Sequence, residues 1–305
     1  MGPSDAVRFF VAPEDAGQRL DRLVATRGGV GRKRARELCQ AGRVTVDGKR
    51  ARGAELVREG SAVELAITAD DAGADSRAPL DVRLETPSLV VVHKPAGQPT
   101  APLRPGELGT LANALVVHYP ETAGIGRRPR EPGLLHRLDT QTSGLVVACR
   151  TPDALRRLGA ALDAGEIEKR YLAIASGAEL PDAGVLDAPL GPDPRRRGRV
   201  RAVPEHERGY ARPSLTHFRV VERHGALLLV ELRMARGFRH QIRAHLANAG
   251  APLVGDALYG GRAWPERPGR HALHASYVAW AGDGTLDGFA VEADLPDDMR
   301  ELFGR

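Results

Sequence analysis

In the run His136-Arg137-Leu138-Asp139-Thr140-Gln141-Thr142-Ser143-Gly144, polar residues crowd a segment just ahead of an apolar stretch, Leu145 to Ala148. A loop seated on a strand presents its side chains from a fixed base. An Asp in such a loop has three chemical uses, as nucleophile, general base or metal ligand. Arg137, two residues earlier, supplies charge for a phosphate or for the Asp itself. The same run also fits an Asx turn in which Thr142 and Ser143 satisfy backbone groups. Elsewhere, Lys94, Pro95 and Gly97 suggest a phosphate loop, but the Gly-x-x-x-x-Gly-Lys spacing is missing and a structural turn is the better reading. His240 and His245 are five apart rather than four, with no third ligand nearby in sequence, which argues against zinc.

The elements that must position these residues are read from periodicity. Apolar runs of strand length recur at Leu89 to Val92, Leu145 to Ala148, Tyr171 to Ala175 and Leu227 to Val230. Between the second and third lies a punctuated helix, with Thr151 as N-cap, Pro152 at the first position, Leu155, Leu158 and Leu162 on one face, and Gly165 as terminator. A later helix carries Arg243, with Ile242, Leu246 and Ala249 on its buried side and Gly250 at its end. Alternation along Arg170 to Ile174 sets Tyr171 opposite Leu172, so that it can face a cleft. Near the N-terminus, Arg19 to Ala25 and Arg32 to Gln40 read as two short helices. Arg43 to Lys49 reads as a strand ending in an Asp-Gly turn, and Ser61 to Leu65 as another strand.

The chain has 305 residues and a net charge of +5, unevenly placed. Residues 16 to 67 hold twelve Lys or Arg against six Asp or Glu, a local balance of +6 that leaves the remainder at −1. That concentration suits a polyanion such as RNA, and equally a solvated basic surface. Residues 68–79, with Asp70, Asp71, Gly73, Asp75 and Pro79 and no apolar period, have the composition of a flexible linker. The expected division is therefore 16–67, a linker at 68–79, and a mixed α and β part over 80–305. Pro194 to Arg201 reads as an Arg-rich loop. Cys39 and Cys149 form no C-x-x-C pair, no apolar run approaches a membrane span, and the N-terminus lacks a basic start followed by an apolar stretch. A cytoplasmic protein is expected.

The run around Asp139 resembles the H-R-L-D-x-x-T-S-G signature of the RluA-type pseudouridine synthases at every fixed position. Four further segments resemble that family in order and spacing: Val91 to Gly97 (K-P-A-G), Lys169 to Ala173 (K-x-Y-L-A), His240 to Leu246 (H-Q-I-R-x-H-L) and Val254 to Gly260 (V-G-D-x-x-Y-G). The first 67 residues resemble the alpha-L RNA-binding domain of ribosomal small-subunit protein S-four. The resemblance implies an α+β fold: a small basic RNA-binding domain, then a catalytic domain built on a central mixed, mainly antiparallel β-sheet flanked by helices and loops. It implies an isomerase that breaks the C1′–N1 bond of uridine, turns the uracil and rejoins it through C5. No atoms enter or leave, so no cofactor and no metal are called for.

By resemblance Asp139 is the catalytic Asp, Arg243 its partner and Tyr171 the active-site Tyr that stacks on uracil and serves in moving the C5 proton. Arg137 enters the space the flipped nucleotide leaves, or holds its phosphate. RNA contacts are expected from Arg32, Lys33, Arg34, Arg36, Arg43, His136, Arg239 and His240. The chain departs from the family pattern at Phe238-Arg239, where Arg-Thr is usual, and at Gly31 and Asp47, where Ser and Asn are commoner. Large-subunit ribosomal RNA is the expected substrate, with transfer RNA the alternative, and a monomer is expected. A non-catalytic RNA-binding or ribosome-assembly protein would be expected to have lost Asp139, Tyr171 or Arg243, and all three are present. A glycoside hydrolase would need a second placed carboxylate, for which the sequence offers no convincing candidate.

Overall fold

The computed structural model describes residues 6–28, 32–40, 42–66, 72–104, 106–128, 130–177, 179–204, 209 and 211–304. The chain forms two compact units, residues 1–94, 98–138 and 146–160 in the first, 95–97, 139–145 and 161–305 in the second.

The first unit begins with β1 (Ala6–Phe10), α1 (Leu20–Arg27), α2 (Arg32–Gln40), β2 (Val44–Val46), β3 (Lys49–Arg50) and β4 (Ala62–Ala66). The strands form an antiparallel sheet in the order β1-β4-β2-β3. Leu20, Leu23 and Val24 of α1 and Leu38 of α2 pack with Val44, Val63 and Leu65 into one buried cluster. The expected Asp-Gly turn is present, with Asp47 and Gly48 at φ 51° and 75°, the pair of positive values a two-residue hairpin needs. The Asp47 carboxylate accepts the Ala62 backbone N–H at 2.8 Å, so the residue that departs from the family pattern is used to close the sheet. Gly31 lies outside the described residues.

The described part of the supposed linker, 72–79, is held in place. Asp75 is buried and accepts the Gly109 N–H at 3.0 Å, and the Asn113 side chain donates to the Gly73 carbonyl at 2.6 Å. Composition alone missed this because the partners lie more than thirty residues away. The unit continues with β5 (Asp81–Glu85), β6 (Leu89–Lys94) and α3 (Leu111–His118). The strand β7 (Ser143–Cys149) and the helix α4 (Pro152–Ala164) each run through both units. The Thr151 hydroxyl caps α4 by accepting the Ala154 N–H at 3.1 Å, and Gly165 ends it at φ 85°.

The second unit contains β8 (Glu168–Ser176), β9 (Ala183–Leu186), β10 (Leu190–Pro192), β11 (Val200–Ala202), β12 (Thr216–His224), β13 (Leu227–Arg233), α5 (Gln241–Asn248), β14 (Leu273–Gly282), β15 (Asp287–Glu292) and α6 (Asp297–Phe303). Its sheet runs β14-β8-β13-β12-β9, with β15 on the outer side of β14. These pairings are antiparallel, whereas the start of β7 runs parallel to β14, Ser143 opposite His274 and Gly144 opposite Ala275. The expected mixed, mainly antiparallel sheet is therefore observed. The Arg-rich segment read as a loop is the turn of the β10–β11 hairpin, its last two residues already in β11.

One close approach sets where the Asp139 loop leaves the sheet. Gly144 sits at φ 117°, and a Cβ there would collide with the Ala275 carbonyl oxygen and lie 2.5 Å from the Ala275 nitrogen. Only glycine lets β7 meet β14 at this point. Gly144→Ala is expected to destabilise the fold by about 3 kcal/mol or more, through both backbone strain and the clash. Denaturant unfolding measures this, and an unchanged midpoint would refute the packing argument.

Candidate active site

Asp139 stands at the start of a turn in which the Thr142 N–H returns to the Asp139 carbonyl at 3.0 Å. The loop is gripped from outside as well: the Gly97 N–H donates to the Thr140 carbonyl at 2.8 Å, with Gly97 at φ 88°. The K-P-A-G segment thus acts through its backbone. Lys94 is fully buried and its ammonium donates to the Gln98 carbonyl at 2.8 Å, in keeping with the structural turn and not with a phosphate loop. On the far side of the loop the Thr142 hydroxyl meets His271 Nε2 at 2.8 Å, and Arg270 donates to the Gln141 carbonyl and, at 3.0 Å, to the Ser143 hydroxyl.

The Asp139 carboxylate accepts Arg243 Nη1 at 2.8 Å. Arg243, nearly buried on α5, turns its other two nitrogens to Asp256, Nε to Oδ2 at 2.7 Å and Nη2 to Oδ1 at 2.9 Å. This bidentate fork fixes the plane of the guanidinium. Asp256 is held by a glycine-dependent turn: Gly255 donates to Arg262 at 2.7 Å and Gly261 to the Asp256 carbonyl at 2.9 Å. A Cβ at Gly255 would strike the Arg270 carbonyl oxygen, and one at Gly261 that of Leu253.

Tyr259, in the same turn, lies with its ring 5.1 Å from the Arg243 guanidinium carbon. Its hydroxyl accepts the Val200 N–H at 3.0 Å and meets His240 Nδ1 at 3.1 Å. That contact holds His240 in a left-handed conformation, φ 55°, at the head of α5 and leaves its Nε2 3.7 Å from Asp139 Oδ1.

Electrostatics follow from burial. Burial alone would raise the Asp139 pKa, yet the cationic neighbours outweigh it and hold the carboxyl below its ordinary value. His240 is pushed down to about 4, chiefly by burial. It is therefore neutral at physiological pH: protonated His240 is the larger of the two charges that lower Asp139 in acid, and at neutral pH Arg243 is the cation beside it. Burial would lower Arg243, but Asp256 and then Asp139 raise it instead. His271 is pushed down to about 3 by burial, with Arg243 adding to the effect. Tyr171, on β8 between Leu232 and Ala275, is buried, and burial followed by the Asp139 charge raises its phenol. Among the described residues no hydrogen bond engages that hydroxyl.

Of the residues singled out in the sequence, Asp139, Arg243, His240 and Tyr171 gather here. Arg137 does not pair with Asp139, the role its proximity in sequence allowed. Its guanidinium reaches Glu131 at 2.9 Å instead, and Arg243 occupies the carboxylate. His136 accepts the Val147 N–H at 3.3 Å. Phe238 donates its N–H to the Gln241 side chain at 2.9 Å and packs on the Leu190, Val200 and Tyr259 cluster, while Arg239 is exposed. Arg32, Arg36 and Arg43 are exposed, and the first two fall on one face of α2, four residues apart. The side chains of Lys33 and Arg34 lie outside the described residues. Sequence reasoning missed Asp256, Tyr259 and His271 as site residues. The first two sit in a motif that had been recognised, but only the fold shows that its Asp faces Arg243.

The arrangement is one ionised carboxylate held by a fixed guanidinium. Residues 88–248 match the RNA pseudouridylate synthase family, and residues 18–63 match the S4 domain. An uncharacterized RNA pseudouridine synthase of Chloroflexus aurantiacus is 36% identical, covering 95% of this chain and 90% of the relative. The ribosomal large subunit pseudouridine synthase D of Yersinia pestis is 35% identical over 96% and 92%. In fold, the human RNA pseudouridylate synthase domain containing 4 protein superposes with a TM-score of 0.57 at 23% identity, covering 72% of this chain and 90% of that one. The chain belongs to the RNA pseudouridylate synthase family, and it is an RNA-directed isomerase with an N-terminal S4 domain. Among the described residues no helix is long and apolar enough to cross a membrane.

Four histidines are pushed down by burial, His93, His240, His245 and His271, and the two in the site show the sign of the resulting pH dependence. Their ordinary value is 6.5 and their folded values are about 4 for His240 and about 3 for His271. Between these limits the unfolded chain binds protons that the folded chain refuses. Stability is therefore full above pH 6.5 and lost as pH falls toward 4, by about 1.4 kcal/mol per pH unit for each histidine. Melting temperatures from pH 7.5 to 4.5 are expected to fall along this slope, and His271→Gln to flatten it. A melting temperature independent of pH across that range would contradict the assignment.

Proposed function

We propose that the protein isomerises uridine in large-subunit ribosomal RNA with Asp139 as nucleophile. The observation that carries this reading is the Asp139–Arg243 pair, clamped from behind by Asp256. Attack on C1′, addition to the base and removal of a sugar proton all demand an ionised carboxylate poised in a partly dry site, and the guanidinium supplies that ionisation. In each route the C1′–N1 bond breaks, the uracil turns and the C1′–C5 bond forms, with the C5 proton finally released and N1 taking one up, so that the atoms balance. A neutral phenol suits Tyr171 to stacking on the uracil, and the raised pKa argues against a phenolate base. Arg137 serves the flipped nucleotide or its phosphate. When Arg137 turns to the RNA, the buried Glu131 carboxylate it leaves keeps Arg128 at 3.9 Å as a second partner.

The ribosomal target rests on relatives named ribosomal large subunit pseudouridine synthase D, in Yersinia pestis and in Xanthomonas campestris at 32% identity, both aligned along nearly the whole chain. Residues 16–67 act as the RNA-binding domain through Arg32, Lys33, Arg34, Arg36 and Arg43, residues 68–79 join it to a catalytic domain over 80–305, and His136, Arg239 and His240 complete the RNA contacts. The enzyme works as a cytoplasmic monomer.

The test is site-resolved pseudouridine mapping of total RNA from cells lacking the gene, complemented with wild type or Asp139→Asn. At least one pseudouridine of large-subunit ribosomal RNA is expected to vanish on deletion and return only with wild type. The purified variant is expected to lose activity by about 10³-fold or more while still binding RNA. Restoration by Asp139→Asn would overturn the nucleophile, and a missing site confined to transfer RNA would overturn the target.

A further inference from the structure

The mechanism above leaves the buried Lys169 unused. Lys169 lies two residues before Tyr171 on β8, so both project from the same face of the strand. The burial pattern agrees, with Lys169, Tyr171 and Ala173 buried and Glu168, Arg170 and Leu172 only half-buried. Lys169 is 6% exposed, yet among the described residues no hydrogen bond or ion pair engages its ammonium. The stem is buried while the ammonium, which is not among the solvent-excluded unpaired atoms, opens on a cleft, so a recessed cation is presented to whatever enters there.

The space beside it shows what that is. Lys169 lines an open cleft of about 920 Å³, bounded on one side by residues 164–168 and on the other by 233–238. Arg212, Arg233 and Arg236 border the same cleft, against Glu166, Glu168 and Asp187, with His217 the remaining titratable group. Glu168 is committed elsewhere, to Arg170 at 2.7 Å and Arg233 at 3.8 Å, so it does not neutralise the lysine. An open cleft whose four cationic side chains stand against three carboxylates, one of them already paired, and which contains a recessed ammonium suits an anionic oxygen of a nucleic-acid strand.

We infer that Lys169 is an RNA-binding residue, its ammonium taking a phosphate oxygen of the substrate strand that runs through this cleft beside the uridine stacked on Tyr171. The inference deepens the proposed function and rests on its placement of the uracil at Tyr171. The lysine also gives binding a pH dependence. Burial pushes its pKa down to about 8 in the free protein, so the ammonium that grips phosphate is progressively absent as pH rises through that value.

The test uses the full-length protein and an unmodified, in vitro transcribed large-subunit ribosomal RNA, with Lys169→Met and Lys169→Arg beside wild type. Methionine fills a similar volume and removes only the charge, so the variant is expected to fold, which its melting temperature checks. For Lys169→Met, Kd and KM are expected to rise about tenfold with kcat within about twofold. The slope of log Kd against log salt is expected to fall by about 0.7, the signature of one lost single-strand phosphate contact. Lys169→Arg is expected to recover most of the affinity. In wild type, RNA binding is expected to weaken between pH 7 and 9, a trend absent from Lys169→Met. A wild-type salt slope and KM in a folded Lys169→Met protein would overturn the inference, as would a loss in kcat alone. Asp139→Asn, measured alongside, separates the two claims: it is expected to abolish turnover at unchanged Kd, so failure of the nucleophile assignment leaves the binding result standing.

Discussion

The site depends on keeping a carboxylate ionised where solvent no longer does so. Burial penalises the charged form of Asp139, and an isolated guanidinium nearby would offset that penalty only if it stayed in place. Asp256 keeps it there. By taking Nε and Nη2 in a bidentate fork it leaves the third nitrogen of Arg243, Nη1, aimed at Asp139. Two carboxylates then share one cation, so Asp139 is ionised without being fully neutralised. Buried ion pairs of this kind add little to folding overall, but breaking one costs about 3–5 kcal/mol, so the cluster is retained intact or not at all.

The backbone has been shaped to allow this. Gly255 and Gly261 let the Asp256 turn pass against the Arg270 and Leu253 carbonyls, and Gly144 lets β7 meet β14 where the Asp139 loop begins. Tyr259 links these pieces: its ring lies near Arg243 and its hydroxyl near His240, whose left-handed backbone opens α5. Neutral His240 and His271 then close the site without adding charge, at the cost of stability in acid.

Much of this was legible in the sequence, for physical reasons. β6 and β7 carry continuous apolar runs because both their faces are covered, β8 and β13 carry apolar runs with one face more deeply buried than the other, and α4 carries a cap, a first-turn Pro and a terminal Gly. Strands that escaped notice are of another kind. β5 and β15 are largely exposed, with charged or small residues on their open faces, and β14 is rich in small residues and histidine, its burial decided by neighbours distant in the chain. The pairing of Arg243 with Asp139 followed from motif resemblance, but Asp256 did not, since local periodicity carries no sign of which turn faces which helix. Nor did spacing warn that Arg137 would be drawn to Glu131.

The most direct measurement is the acid limb of the single-turnover rate of pseudouridine formation, compared between wild type and Arg243→Lys. A lysine cannot form the fork to Asp256 and also reach Asp139 as a planar guanidinium does. If Arg243 governs the ionisation of Asp139 and the rate depends on that carboxylate, the limb moves up the pH scale by about one unit or more in the variant. A limb that stays where it is in wild type, whatever happens to the rate, would contradict the account.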